Sequence, residues 1–157
     1  MAVLQMRSKL KGNHKNGREK TTSIKQSKFA TAISCIDGRV QKPVTEWMRT
    51  HFNVDYVDMI TEPGPDKALT QGPVQVVESI RRKVLVSITA HYSSVIAVVG
   101  HHDCAGNPVS KEEHLEQIKK CVKIVASWGF PVRIMGLWVN NQWEIEIIYD
   151  TERYGFN

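Results

Sequence analysis

The 157-residue sequence predicts an α/β fold. The expected form is a Rossmann-like three-layer arrangement with a mostly parallel central sheet of order 2-1-3-4 and an antiparallel fifth strand at one edge. Three observations predict it. Residues 29–35 and 94–100 are nearly unbroken small and apolar runs, the composition of strands buried on both faces. Strand-like runs alternate with segments whose apolar residues recur every three or four positions, which implies crossover helices and parallel strands. Finally, Asn140-Asn141 followed by alternation over residues 143–149 suits a hairpin onto an antiparallel edge.

Taken in order, residues 1–27 are polar and basic, with Gly12 and Gly17 interrupting any long helix and a short helix near 3–10. The first strand covers 29–35 and ends at the turn signal Asp37-Gly38. A helix follows over about 42–51, with Pro43 in its first turn and Trp47 and Met48 facing inward. Residues 54–60 read as the second strand. The stretch Glu62-Pro63-Gly64-Pro65 is not expected to be regular structure. Beyond Gly72-Pro73 a long helix buries Val77, Ile80, Val84 and Ile88. The third strand is 94–100. A helix over 111–127 turns Leu115, Ile118, Val122 and Val125 inward, with Ser110 as N-cap, Glu113 completing a capping box and Gly129 ending it. Residues 132–139 form the fourth strand.

Length and composition fit one soluble domain: 41% hydrophobic and 24% charged residues, with no apolar run of membrane-spanning length. The start lacks the pattern of a secretory signal, so a cytoplasmic location is expected. Three cysteines do not close into a disulfide framework. The net charge of +5 is uneven: residues 1–28 carry eight basic groups and one acid (+7), and the remainder is at −2 with 13 basic and 15 acidic groups. We therefore expect a basic arm over 1–27 and a single zinc-binding α/β domain over 28–157. The arm has no aromatic residue before Phe29 to stack on bases. Neither nucleic acid nor a membrane is expected as a partner.

Two short stretches carry the chemistry. Cys35-Ile36-Asp37-Gly38-Arg39 ends the first strand, and His101-His102-Asp103-Cys104 follows the third. In a 2-1-3-4 sheet those strands are neighbours, and their following loops leave in opposite directions, opening a crevice at their carboxyl ends. Cys35, His101 and Cys104 are the candidate ligands of one zinc ion per chain, because thiolate and imidazole suit zinc and three protein ligands leave one position open. On a helical turn, His101 and Cys104 would share a face. In an extended segment Cys35, Asp37 and Arg39 would share a side. An Asp beside an Arg stays ionised and is able to orient a metal-bound water. A closed structural site would need a fourth ligand, for which Asp37, His102 and Cys121 are candidates. Cys121 is in register with Ile118 and Val125 and reads as core.

These residues resemble the beta-class carbonic anhydrases, which carry Cys-x-Asp-x-Arg followed later by His-x-x-Cys. The resemblance covers roughly residues 28–149. It implies reversible hydration of carbon dioxide to bicarbonate by a zinc-bound hydroxide. Cys35, His101 and Cys104 would be the ligands, Asp37 with Arg39 the catalytic dyad, and a homodimer or higher homo-oligomer the assembly. The family's alternative state has the Asp on the metal. Where the family usually shows Asn-Ala-Gly after the second strand, this chain has Glu62-Pro63-Gly64, so only Gly64 is carried over as a substrate-binding position. His102 stands where a small hydroxyl residue is common, and is read as exposed or structural, with proton transfer as the other use. Two other functions fit the same motifs: hydrolysis of carbonyl sulfide or carbon disulfide, and a non-catalytic zinc-binding or regulatory role with Asp37 closing the site.

Overall fold

Three strands are buried along nearly their whole length, β1 (Phe29–Ser34), β3 (Val95–His101) and β4 (Arg133–Val139). All lie inside a five-stranded sheet completed by β2 (Tyr56–Thr61) and β5 (Ile145–Asp150). The structure is a computed structural model that describes residues 26–155. The sheet order is β2-β1-β3-β4-β5, parallel except for the antiparallel β4–β5 pair. This is the predicted topology. The register Ile33↔Val98 carries β3 two residues past the end of β1, so the chain leaving β1 runs beside the end of β3.

Helices cover both faces. α1 (Gly38–Phe52) lays Val40, Val44 and Met48 on Ala30, Ala32, Ala97 and Val99, small strand residues that let the helix approach closely. α3 (Val74–His91) and α4 (Lys111–Ser127) cover the other face, where Ile80, Val84, Val122 and Val125 meet Ile33, Ile96, Val98 and Ile134, and Ile118 lies over Gly100 and Gly136. Cys121 is buried in this second core, as expected. The helix over 111–127 is found at its predicted limits. Ser110 caps it by accepting the Glu113 amide at 3.2 Å, while the Glu113 carboxylate accepts from Gln117 and does not return to the cap.

Several expectations are corrected. α1 begins at Gly38, because Asp37 accepts the Arg39 amide at 3.0 Å and starts the helix four residues early; Pro43 therefore lies inside it. A short helix, α2 (Pro65–Gln71), starts directly after Gly64, with Pro65 in the first-turn position where a missing N–H costs nothing. Val77 and Ile88 are only half-buried. Ser87 takes an inward place instead, since its hydroxyl is satisfied by Thr31 at 2.7 Å and Asp58 at 2.6 Å. Leu115 is likewise half-buried, with His114 and Gln117 turned inward beside it. A final turn, α5 (Thr151–Tyr154), is capped by Asp150. The expected helix near 3–10 and nearly all of the basic arm lie outside the described residues. Among the described residues no helix is long and apolar enough to cross a membrane.

Candidate metal centre

The β1–β3 register places Cys35, just past β1, near His101, the last residue of β3. The chain then turns so that Cys104 joins them. The expectation of a helical turn is not met: residues 102–107 form tight turns in which Asp103 has φ +52°. One ligand atom from each of Cys35, His101 and Cys104 lies within 4.8 Å of the others, and all three residues are buried. No other such cluster occurs among the described residues.

The donor set fits zinc. The Cys35 and Cys104 sulfurs are 3.9 Å apart. Two sulfurs at ~2.3 Å from one ion in tetrahedral geometry would be about 3.8 Å apart. His101 Nδ1 bonds the His102 carbonyl oxygen at 2.7 Å, which orients the ring, while its buried Nε2 has no hydrogen-bond partner. A buried, orphaned imidazole nitrogen beside two sulfurs is the arrangement a metal satisfies.

Cys35 is pulled down to about 4 because the Cys104 thiol donates to it; burial opposes the shift, and His101 and the amides of Gly64 and Asp37 reinforce it. Cys104 is pushed up because it gives its hydrogen to Cys35 and is itself buried. Burial opposes a charge on His101, but the neighbouring Cys35 thiolate outweighs it and the histidine is raised.

Neighbouring elements support this cluster. Gln41 of α1 donates to the Cys35 carbonyl oxygen at 2.6 Å. Gly64 turns through φ +57° and presses its backbone onto Gly106, where an added Cβ would lie 2.8 Å from the Gly106 carbonyl carbon. The Gly64 amide is also among the groups that favour the Cys35 thiolate. A buried polar network then bolts α2 and the Cys104 loop to α4. Asp66 pairs with His114 Nδ1, Asn107 donates to Gln117 at 2.6 Å, and Cys121 donates to the Asp66 carbonyl oxygen at 3.3 Å. None of Asp66, Asn107, His114 and Gln117 stands out in the sequence as a functional residue. The available signal is a histidine and a glutamine three apart, next to core positions of an amphipathic helix.

Asp37 and Arg39 meet beside the cluster, but not by extended geometry. Asp37 is the N-cap and Arg39 lies in the first turn, and the guanidinium folds back onto the carboxylate. Nη2 donates to Oδ2 at 2.6 Å and Nε to Oδ1 at 3.0 Å. That guanidinium, with the Arg39 amide, holds the Asp37 carboxyl down at about 2, so it is ionised at neutral pH. Asp37 is not part of the metal cluster. The His102 ring stands edge-on to Trp143, 4.6 Å between centroids.

Comparisons with known proteins agree with this architecture. Residues 25–149 match a family described as "Putative carbonic anhydrase". No match is found among curated protein sequences. Among solved structures, the chain is similar to beta-carbonic anhydrase isoform I from the protozoan Trichomonas vaginalis, at 20% identity and a TM-score of 0.53, over 76% of this chain and 82% of that one. It is also similar to a carbonic anhydrase from Glaciozyma antarctica, at 16% identity and a TM-score of 0.50, over 76% and 81% of the two chains. These structural likenesses share the fold just described. With the family match spanning most of the sequence, the chain belongs to the beta-class carbonic anhydrase family.

Proposed function

We propose that the protein is a carbonic anhydrase that reversibly hydrates carbon dioxide to bicarbonate at one zinc ion per chain, held by Cys35, His101 and Cys104. The observation that carries this is the buried His101 Nε2, unpartnered beside two cysteine sulfurs, with an ionised Asp37 next to it. Bound zinc would supply a Lewis acid that brings the pKa of a coordinated water to about 7, a magnitude already established for carbonic anhydrase zinc sites and not a result of this structure.

The chain's own residues do the rest. Two restraints keep the Asp37 carboxylate off the metal position: the Arg39 guanidinium and the N-cap bond to the Arg39 amide, a cap being worth about 1 kcal/mol. Held there and ionised, Asp37 accepts a hydrogen bond from the attacking oxygen nucleophile and aims its lone pair at the substrate carbon. His101 Nδ1 is committed to the His102 carbonyl, which fixes the ring and leaves Nε2 as the nitrogen that would hold the ion. We assign this activity to a single domain over 28–157, with 1–27 as a separate basic arm. Free thiolate ligands suit a reducing compartment, which supports a cytoplasmic location. A second copy of the chain is the expected partner. Edge strand β2 leaves Tyr56 exposed and Val57 and Met59 half-covered, a surface suited to assembly.

The test is stopped-flow carbon dioxide hydration across pH on protein of measured zinc content, with Asp37→Asn alongside. Asn still caps the helix, so the variant should fold and keep zinc while losing turnover by roughly a hundredfold or more. Equal turnover in parent and variant would remove Asp37 from the mechanism. Stoichiometric zinc with no hydration would leave a non-catalytic zinc protein. Carbonyl sulfide and carbon disulfide run in the same assay test the substrate, and faster turnover of either would reassign it.

A further inference from the structure

We propose that Asp103 and Trp143 are positioning residues that hold the Arg39 guanidinium where Asp37 needs it, and so keep the metal's fourth position free. The proposal rests on the functional reading above. Arg39 is half-exposed, and a long side chain in that setting would ordinarily spend its time in water. Here it is confined on three sides. Asp37 takes the edge formed by Nε and Nη2. Asp103 accepts from Nη1 through Oδ2 at 3.1 Å and from Nη2 through its carbonyl oxygen at 3.4 Å. The Trp143 ring lies against the guanidinium carbon, 5.1 Å from ring centroid to Cζ.

The backbone singles out the same two residues. Among the described residues, Asn53, Tyr92, Asp103 and Trp143 are the non-glycine residues with positive φ. Asn53 and Tyr92 are helix C-caps, where that conformation is usual. Asp103 at +52° and Trp143 at +63° are not, and both touch Arg39. A bulky aromatic residue in this region is an outlier. Such strain persists where the surroundings over-determine it, typically at functional sites.

The two carboxylates use different edges of the guanidinium, so Asp103 does not compete with Asp37. It confines Arg39 beforehand. The Asp37 pair then forms at a smaller cost in rotamer freedom, which is preorganisation by contacts from two other loops. If the confinement is removed, Arg39 leaves Asp37 more often. Asp37 is then free to turn towards the metal.

The experiment is hydrogen exchange of the Arg39 Nε–H, followed by NMR on the full chain with and without zinc, with steady-state hydration kinetics beside it. That proton is donated to Asp37, so its protection reads the pair directly. Asp103→Asn removes the charge and keeps a residue that tolerates a left-handed backbone. We expect protection to fall about two- to five-fold, less at high salt, with the melting midpoint unmoved and kcat reduced at constant KM. Trp143→Leu should reduce protection by a similar factor, and Trp143→Phe, which keeps an aromatic face, should restore most of it. Unchanged protection in both Asp103→Asn and Trp143→Leu would overturn the proposal. Lost protection with unchanged kcat in an active enzyme would overturn the positioning role. If zinc binds but no hydration is measured, the functional reading fails, and the exchange data still decide whether Asp103 and Trp143 hold Arg39.

Discussion

Gly106→Ala tests how the two ligand-bearing loops are held together. A Cβ at Gly106 would lie 2.6 Å from the Gly64 nitrogen and 2.6 Å from the Pro63 carbonyl carbon, both backbone atoms that no rotamer change can move. Ordinary contact begins at 3.4 Å, so the loops must part by about 0.8 Å. Zinc ligand distances tolerate only ~0.2 Å. The Gly64 amide is among the groups that favour the Cys35 thiolate, and Gly106 lies two residues beyond Cys104, so the separation is applied across the cluster. We expect zinc affinity to fall roughly 10- to 100-fold, the usual cost of disturbing groups that orient metal ligands. Overpacking should also cost about 1–3 kcal/mol of stability, or ~3–9 °C in melting midpoint for a chain of this size. Chelator competition measures the first quantity and thermal unfolding of metal-free protein the second. Gly38→Ala is the control. Nothing lies within 4 Å of its added Cβ, so zinc affinity should hold while stability rises by up to ~1 kcal/mol. Affinity within about twofold of the parent and an unmoved midpoint for Gly106→Ala would refute the argument that this backbone contact sets the ligand spacing.

Other expectations follow from neighbouring parts of the structure. Cys104→Ala removes one of the three proposed ligands and should leave zinc well below one per chain by metal analysis; full zinc content would exclude Cys104 from the site. His114→Ala strands the buried Asp66 carboxylate and should cost about 3 kcal/mol in denaturant unfolding; a loss under ~1 kcal/mol would mean the pair is dispensable. Asp150→Asn breaks a two-bond pairing with Arg133 at 3.0 and 2.7 Å and should cost about 2 kcal/mol at neutral pH. Arg133 holds the Asp150 carboxyl below its ordinary value of 3.8. The stabilisation is therefore complete above that value and is lost as pH falls through the lower folded one. Parent and variant should converge in acid, and a gap that persists there would refute the charge argument.

Much of the fold is legible because it is written in local periodicity. The runs at β1 and β3 are apolar on both faces and read as buried strands. The helix over 111–127 carries its cap and its apolar stripe in sequence. The parallel order follows from alternation, and it brings the ligand motifs to one crevice. The sequence places helix α1 late because Asp37 reads as site chemistry and not as the helix cap that it is. Helix α2 is hidden because Glu62-Pro63-Gly64-Pro65 reads as a break, although Pro65 is at home in a first turn. His114 and Gln117 are hidden because a polar residue on an apolar face gives no sign of its partner. Asp66 and Asn107 lie 48 and 10 residues away from them respectively.

By itself, then, the sequence determined the sheet, its order, and the identity of the residues that converge at its carboxyl edge, because burial and ligand chemistry are properties of residue type and spacing. Only the tertiary structure decided how those residues act on one another. It gave His101 an unpartnered Nε2, pressed the Gly64 backbone onto Gly106, and surrounded Arg39 with Asp37, Asp103 and Trp143 from three separate loops. Contacts between loops depend on turn geometry and on left-handed backbone at single residues, and neither has a period that a sequence displays.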